Sequence, residues 1–302
     1  MTAPAMPAPT PPSRPNARHV SRQRVGLHAF LIVISIVWLF PLAWAIYTSL
    51  RPYADTATNG YVSFTGQISL DNYVTAWNRS DLPRYFLNTI VIVVPAVVLV
   101  LFLASMMAFA VSRYSWRFNL AFLMLFTALN LLPPQVVITP LFRMYLGLPM
   151  FEPLSDNGLL YDQYLGIIII HIAFQLGFCT FVLSNYMKTL PKELNEAAIV
   201  DGASVWTTYR RVIMPLTKPA LAALATLEVT FIYNDFFWAL YLMTTGAKLP
   251  ITSALNNLKG QFFVDNNLVA AGAILVALPT LVVYFVLQKQ FVGGLTLGST
   301  KG

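Results

Sequence analysis

The chain has 302 residues, 57% of them hydrophobic and only 10% charged, with a formal net charge of +7. Soluble domains carry about 25% charged residues, so this composition excludes an ordinary soluble globule and points to the lipid bilayer. A nucleic-acid binder would need a folded basic patch outside the membrane, and the single cysteine excludes an internal disulfide or a cysteine metal cluster.

A helix crossing the bilayer needs about 20 predominantly apolar residues, and lipid forces the backbone to satisfy its own hydrogen bonds, so long apolar runs read as helices. Residues Met1–Pro15 (MTAPAMPAPTPPSRP) are low-complexity and cannot bury enough apolar surface to fold. A disordered tail over residues 1–26 is expected. The first apolar run, Leu27–Ser49, is longer than the apolar core of a secretory signal and lacks a small-residue cleavage site, so it reads as the first span. Residues 50–85 follow as an extracytoplasmic loop. Five more spans are expected in residues 86–291, near Phe86–Val111, Leu120–Phe142, Gly166–Met187, Leu216–Met243 and Leu268–Phe291, with a tail over 292–302. The fold class is all-α with six transmembrane helices. Cys179, in the fourth span, reads as a small packing residue.

Lys and Arg prefer cytoplasmic segments. With the N-terminus inside, thirteen of the 19 Lys and Arg face in, among them Arg14, Arg18, Arg113, Arg117, Lys188, Lys192, Arg210 and Arg211. Arg51, Arg79, Arg84, Arg143, Lys248 and Lys259 face out, where most acidic residues also lie. Both termini and the segment Pro191–Pro219 are therefore expected on the cytoplasmic side, and the net charge is mostly this topology signal.

That segment, PKELNEAAIVDGASVWTTYRRVIMPLTKP, is polar and sharply patterned. Pro191 suits a first helical turn. Leu194, Ala197 and Ala198 make a small apolar face at helical spacing, and Gly202 permits a left-handed exit. Ser204 can cap a second helix, Val205 to Ile213, with Trp206, Tyr209, Val212 and Ile213 on its apolar side and Pro215 as its stop. Ala197 and Ala198 leave room for another surface, while Glu196 and the Arg210–Arg211 pair offer charged contacts. The pattern alone serves equally for a helix resting on lipid headgroups and for one that docks on a protein.

Charges within spans are expensive and usually functional. Glu228 and Asp235 lie two turns apart in the fifth span, on nearly one face, with Asn234 beside them. The third span carries Asn130 and Gln135 around a Pro133–Pro134 kink that frees backbone carbonyls. The fourth carries His171 and Gln175. Tyr233, Phe237 and Trp238 add aromatic faces of the kind sugars stack on. Asn130, Gln135, Glu228, Tyr233, Asn234, Asp235 and Trp238 are the candidate translocation-pathway residues; the other reading of each is helix–helix glue.

Glu196-Ala197-Ala198, then Gly202, then Val212-Ile213-Met214-Pro215 resembles the EAA loop of ABC importer permeases, with Val212 and Met214 in place of the family's Ile and Leu. Tyr233-Asn234-Asp235-Phe236-Phe237-Trp238 is similar to the W-N-D-F-x-W segment of sugar-transporting permeases. Phe291-Val292-Gly293-Gly294-Leu295-Thr296 through Lys301-Gly302 resembles the family's C-terminal tail, where Arg commonly fills the position of Gly293. Ser69-Leu70-Asp71-Asn72-Tyr73 resembles its first outer loop. The chain is thus similar to the inner-membrane permeases of carbohydrate ABC importers of the maltose type.

The resemblance implies a type I importer permease fold in the cytoplasmic membrane of a bacterium or archaeon. It implies a second permease, two ATPase subunits, and an external binding protein that delivers the solute. The coupling loop, residues 188–215, would fit a cleft on one ATPase, with Glu196 and Gly202 as coupling residues, Ala197 and Ala198 as the contact face, and Arg210 and Pro215 completing it. The tail would reach between the two ATPases. The chain has no phosphate-binding GxxxxGK[ST] loop, so ATP and Mg²⁺ are expected on the partner ATPase, with no cofactor, metal or catalytic residue on this chain.

An intramembrane enzyme would need a nucleophile–base pair or metal ligands at membrane depth. With histidines only at 19, 28 and 171 and neither an H-E-x-x-H nor a G-x-S-x-G motif, that reading is weak. A receptor or scaffold leaves the gapped loop pattern unexplained. A permease for another solute, such as glycerol-phosphate or a peptide, is the nearer rival. An anionic solute would favour Arg or Lys facing the cavity, and the expected spans hold none at mid-membrane.

Overall fold

The computed structural model describes residues 17–296 apart from 65, 80, 115–116, 131 and 259–263, with side chains described over 24–286 except also 79, 120, 122, 129–130 and 257. The predicted tail Met1–Pro15 and the end of the C-terminal tail lie outside the described residues. Two compact units emerge, residues 1–48 and 49–302.

The first unit consists of helix α1 (Ala17–Leu50), which starts inside the expected tail. From Phe30 to Leu42 its large apolar residues fall on every side of the helix, the composition of a membrane span.

In the second unit the expected loop 50–85 is folded. It holds α2 (Tyr53–Asn59) and α3 (Asp71–Arg79), and α4 (Leu82–Arg113) begins before residue 86. The order continues through α5 (Asn119–Asn130), α6 (Pro134–Gly147), α7 (Tyr164–Thr189), α8 (Glu193–Val200), α9 (Val205–Thr207), α10 (Met214–Tyr233), α11 (Phe237–Leu242), α12 (Ile251–Ala254) and α13 (Asn266–Thr296). Among the described residues there is no strand, only one isolated bridge between Pro149 and Leu159.

Five helices are long and apolar enough to cross a membrane: Arg24–Leu50, Leu82–Arg113, Tyr164–Thr189, Val205–Tyr233 and Asn266–Val286. The expected third span, Leu120–Phe142, is not one helix. It divides into α5 and α6, of 12 and 14 residues. Pro133 and Pro134 remove two consecutive N–H donors and hold Pro133 extended (φ −61°, ψ 130°), so the helix restarts rather than bends.

The centre of the second unit is the α4–α7 pair. Ile92, Ala96, Val100, Ala104 and Ala108 recur every fourth residue on α4 and are all buried, as are Ile167, Ile170, Cys179, Leu183 and Met187 on α7. In lipid no hydrophobic force pulls helices together, so small residues that allow close packing carry the association. Gly177 marks a close approach: a Cβ there would sit 2.6 Å from the Phe126 carbonyl oxygen, where α5 meets α7.

Arg51, wholly buried, organises the folded loop. It pairs with Asp55 at 2.8 Å and donates to the Gly60 and Tyr61 carbonyls and the Ser63 hydroxyl. Asn72 donates to the Ser49 and Arg51 carbonyls, and Asn267 at the start of α13 donates to the Arg51 carbonyl and Thr56. The motif at Ser69–Tyr73 is thus a structural clasp in which the Ser69 hydroxyl accepts from the Asp71 N–H and Tyr73 bonds Ser49 at 2.6 Å.

Candidate functional site

The patterned segment folds as a helix, a turn and a second helix. Helix α8 starts at Glu193, two residues after Pro191, with Lys192 as its N-cap. It ends in a Schellman motif: Gly202 is left-handed (φ +72°), its N–H donates to Ile199 O at 3.0 Å, and Ala203 N–H donates to Ala198 O at 2.9 Å. Ser204 then caps the next helix, accepting from Thr207 N–H at 3.2 Å. Gly202 and Ser204 act as the sequence predicts, whereas Pro191 lies one residue before the N-cap and not in the first helical turn.

Two further details differ. Pro215 does not stop the second helix. After α9 the backbone winds as a π-helix over Thr208–Ile213 and continues without interruption into α10. A proline lacks the N–H that an α-helix directs four residues back. The wider π turn absorbs the mismatch: Met214 N–H bonds Tyr209 O, five residues back. The other difference concerns the small face of α8. Ala197 is exposed, but Ala198 is buried within this chain and is not available to another surface.

Tyr209 and Ile213 bury the second helix against the bundle, and the Tyr209 hydroxyl meets Ser105 on α4 at 2.7 Å. The tip stays open. Ile199, Val200 (87% exposed), Val205 and Trp206 (50% exposed) surround Gly202, flanked by exposed Glu196, Ala197 and Arg210.

The pathway candidates do not converge on one cavity. Helix α10 ends at Tyr233, so Asp235 lies in a break before α11 and not on the Glu228 face of a continuous helix. Glu228 is fully buried; its Oε1 accepts from Cys179 Sγ at 3.2 Å, while Oε2 has no partner. Asp235 faces His171 at 3.6 Å, accepts the Trp238 N–H at 3.3 Å, and its carbonyl accepts from Thr252. Both acids of the α10 region therefore meet α7, through Cys179 and His171.

Tyr233 is buried and donates to Val276 O at 2.8 Å; Trp238 is buried with its ring 4.8 Å from that of Phe174. These two aromatic rings are packing elements. Asn234 is exposed and donates to Thr230 O. Gln135 is exposed, near a cleft of about 420 Å³ lined by apolar side chains including Phe126, Leu141 and Phe174. The Asn130 side chain is outside the described residues.

At the opposite end from the patterned turn, Asp162, in a left-handed conformation (φ +63°), accepts from the N–H groups of Thr244 and Thr245 at 2.8 and 3.0 Å. Partial burial works against ionisation of Asp162. The bonds from Thr245 and Thr244 and the nearby Lys248 charge outweigh it and hold the carboxyl below its ordinary value. Lys248 also pairs with Asp156 at 2.6 Å; with Gln163 it pulls that carboxyl down to about 2. Asn88 on α4 donates to the Ala247 and Leu249 carbonyls and accepts from Tyr164, tying α4, α7 and the loop after α11 together. The Cys179–Glu228 bond and the Asp162 latch join residues far apart in the chain, and no local pattern announces either.

Residues 100–292 match the family described as the binding-protein-dependent transport system inner membrane component. The chain belongs to that family. It is 32% identical to an osmoprotective compounds uptake permease protein of Synechocystis, over 92% of this chain and 93% of that one. It is 29% identical to a melibiose/raffinose/stachyose import permease protein of Bacillus subtilis (89% and 94%) and 28% identical to a diacetylchitobiose uptake system permease protein of Streptomyces coelicolor (90% and 87%). Its fold is that of a chain of a bacterial ABC transporter involved in the import of the acidic polysaccharide alginate, with a TM-score of 0.76, 23% identity, and coverage of 92% of this chain and 100% of the other. This permease is therefore a multi-pass membrane component of a transport system and not an enzyme of that system.

Proposed function

We propose that this permease is one half of the translocation pathway of an ATP-driven importer for a neutral mono- or oligosaccharide. The observation that carries the reading is the turn at Gly202. It is held by a Schellman motif and a serine cap, and it exposes Ile199, Val200, Val205 and Trp206 in an otherwise polar segment. An ordered apolar patch rimmed by charges is the surface a partner covers. In a binding-protein-dependent system that partner is an ATPase subunit, which carries the ATP and Mg²⁺.

In this reading Glu196, Ala197 and Arg210 contact the ATPase at the rim, Gly202 sets the angle between α8 and α9, and Pro215 forces the π segment that joins the turn to α10. Closure of the ATPases on ATP would tilt the turn, and the unbroken helix from Val205 to Tyr233 would carry that tilt to the break at Asp235. Glu228 and Asp235, which meet Cys179 and His171 of α7, are the groups whose contacts such a tilt exchanges. Gln135 and Asn234, both exposed, are the polar groups left to meet solute or the second permease.

The charge asymmetry of the loops supports cytoplasmic termini, with α5 and α6 together forming a broken sixth crossing. An extracytoplasmic binding protein would then deliver solute to the Asp162–Lys248 side. The names of two relatives, a melibiose/raffinose/stachyose import permease and a diacetylchitobiose uptake permease, together with expected spans that hold no Arg or Lys at mid-membrane, support a neutral sugar.

The test is uptake of a panel of labelled sugars by vesicles carrying the full transporter, beside ATP hydrolysis. Glu196→Lys and Gly202→Pro are expected to leave the chain in the membrane while separating hydrolysis from uptake. Normal uptake by either variant with its ATPase bound would end the docking role, and uptake of no sugar by the wild type would end the substrate assignment.

A further inference from the structure

The folded segment that follows the first span is built inside out. Its two charged side chains, Arg51 and Asp55, are buried and paired at 2.8 Å. From there to Asp71, residues 56–70 (TATNGYVSFTGQISL) carry no charge, and their large apolar side chains face outward. Val62 is 82% exposed and Phe64 81%, and Ile68 and Leu70 are exposed as well. A loop surrounded by water does the reverse: it keeps charges in solvent and gathers large apolar side chains inside. Thr58, Asn59 and Gln67, which share the outer surface, are polar but uncharged.

Helix α3 extends the patch. Leu70, where the helix starts, Val74 and Trp77 stand at i, i+4 and i+7, on one stripe of the helix, and all three are exposed. On the other side Ala76 is buried and Asn72 holds the Ser49 and Arg51 carbonyls, while the helix packs on α13 and α4. The exposed stripe is therefore turned away from these spans. The Trp77 ring lies 6.0 Å from that of Phe86, near the start of α4.

The height of the patch follows from its tethers. Ser69 N–H donates at 2.7 Å to the carbonyl of Leu50, the last residue of the first span. Helix α4 begins at Leu82, soon after α3 ends at Arg79. Asn267, at the start of α13, donates to the Arg51 carbonyl at 3.0 Å. Three spans have an end at this level, so the patch lies at their boundary between hydrocarbon and water. Tyr and Trp concentrate at that boundary, and short amphipathic helices lie in it with the apolar face in lipid. A protein partner is the poorer fit, because such interfaces surround an apolar centre with a polar rim, and residues 56–70 supply no charge to one.

We propose that Val62, Phe64, Ile68, Leu70, Val74 and Trp77 form a membrane-surface anchor, seated in the boundary between headgroups and acyl chains of the leaflet where the first span ends. Through the bonds of Arg51 and Asn267 the anchor sets the depth of the adjoining ends of the first span and α13. The assignment is independent of which leaflet this is, of the solute, and of what covers Gly202.

The experiment is spin-label accessibility in the full transporter, its partner subunits carrying no reactive cysteine, in nanodiscs of phosphatidylcholine and phosphatidylglycerol. Cys179 is buried, so Val62→Cys and Val74→Cys each add one reactive thiol for a nitroxide. Both positions are exposed, and replacing them empties no core. Collision with oxygen, which dissolves in lipid, is expected to exceed collision with a water-soluble nickel chelate at both positions. The ratio should place each label about 5–10 Å into the boundary layer. Nickel collision above oxygen collision would put the patch in water, and little collision with either reagent would put it against protein. Either result, at either position, would overturn the assignment.

Discussion

Asp235 and His171 face one another at 3.6 Å across the junction of α7 with the α10–α11 break, both side chains almost wholly buried. About two helical turns further along α7, Cys179 and Glu228 form a second polar contact. Residues eight apart on α7 thus meet residues seven apart after it, making two polar rungs in an otherwise apolar seam.

Polar contacts between helices in lipid are worth about 0.6 kcal/mol on average and up to about 1.7. A double-mutant cycle of His171→Ala and Asp235→Ala, read by thermal or denaturant unfolding in detergent, is expected to give a coupling energy in that range. Strict additivity would mean that the pair carries no energy of its own.

Gly202 holds φ at +72° with open space where a Cβ would stand. Substitution there meets conformational strain and no clash, so Gly202→Ala should cost about 1–2 kcal/mol locally and Gly202→Asn less, because Asn tolerates the left-handed region. Amide exchange across residues 198–207 measures the order, and equal exchange in the two variants would contradict the left-handed turn.

The Asp156 carboxyl, paired with Lys248 and Gln163, is held at about 2. A carboxyl depressed on folding contributes stability that is present above its unfolded value, near 3.9, and is lost as pH falls toward 2. The difference in unfolding midpoint between wild type and Asp156→Asn should be constant from pH 7 to about 5 and narrow as pH falls from about 4. A gap that widens below pH 4 would reverse the sign of the contact.

Arg51 is fully buried, and its removal leaves Asp55 without its counter-charge among the folded outer elements. Breaking a buried pair from one side costs about 3–5 kcal/mol, so Arg51→Met should be severely destabilising. Arg51→Met combined with Asp55→Leu should recover a good part of the loss. Proteolysis within residues 53–79 follows the local unfolding, and full resistance in the single variant would show that the clasp is not held by this pair.

Much of this protein is legible without coordinates because the signals involved are local. Apolar run length decides membrane residence, since the bilayer sets a minimum helix length whatever the neighbours do. The left-handed Gly202 and the Ser204 cap follow from the conformational freedom of one residue and the reach of one hydroxyl. What depends on distant partners was decided only by packing. Pro133–Pro134 reads as a kink but separates α5 from α6, because α5 packs on α7 at Gly177 while α6 packs on α11. Pro215 reads as a stop, yet Tyr209 and Ile213 bury the segment before it against the bundle, and the chain keeps that burial by winding a π turn through the proline. Glu228 and Asp235 share a face on an ideal helix, but the helix ends at Tyr233, and their contacts with Cys179 and His171 exist because α7 lies where α4 and α10 hold it. Periodicity reports which side of a helix is buried; only the tertiary arrangement chooses which residue it is buried against.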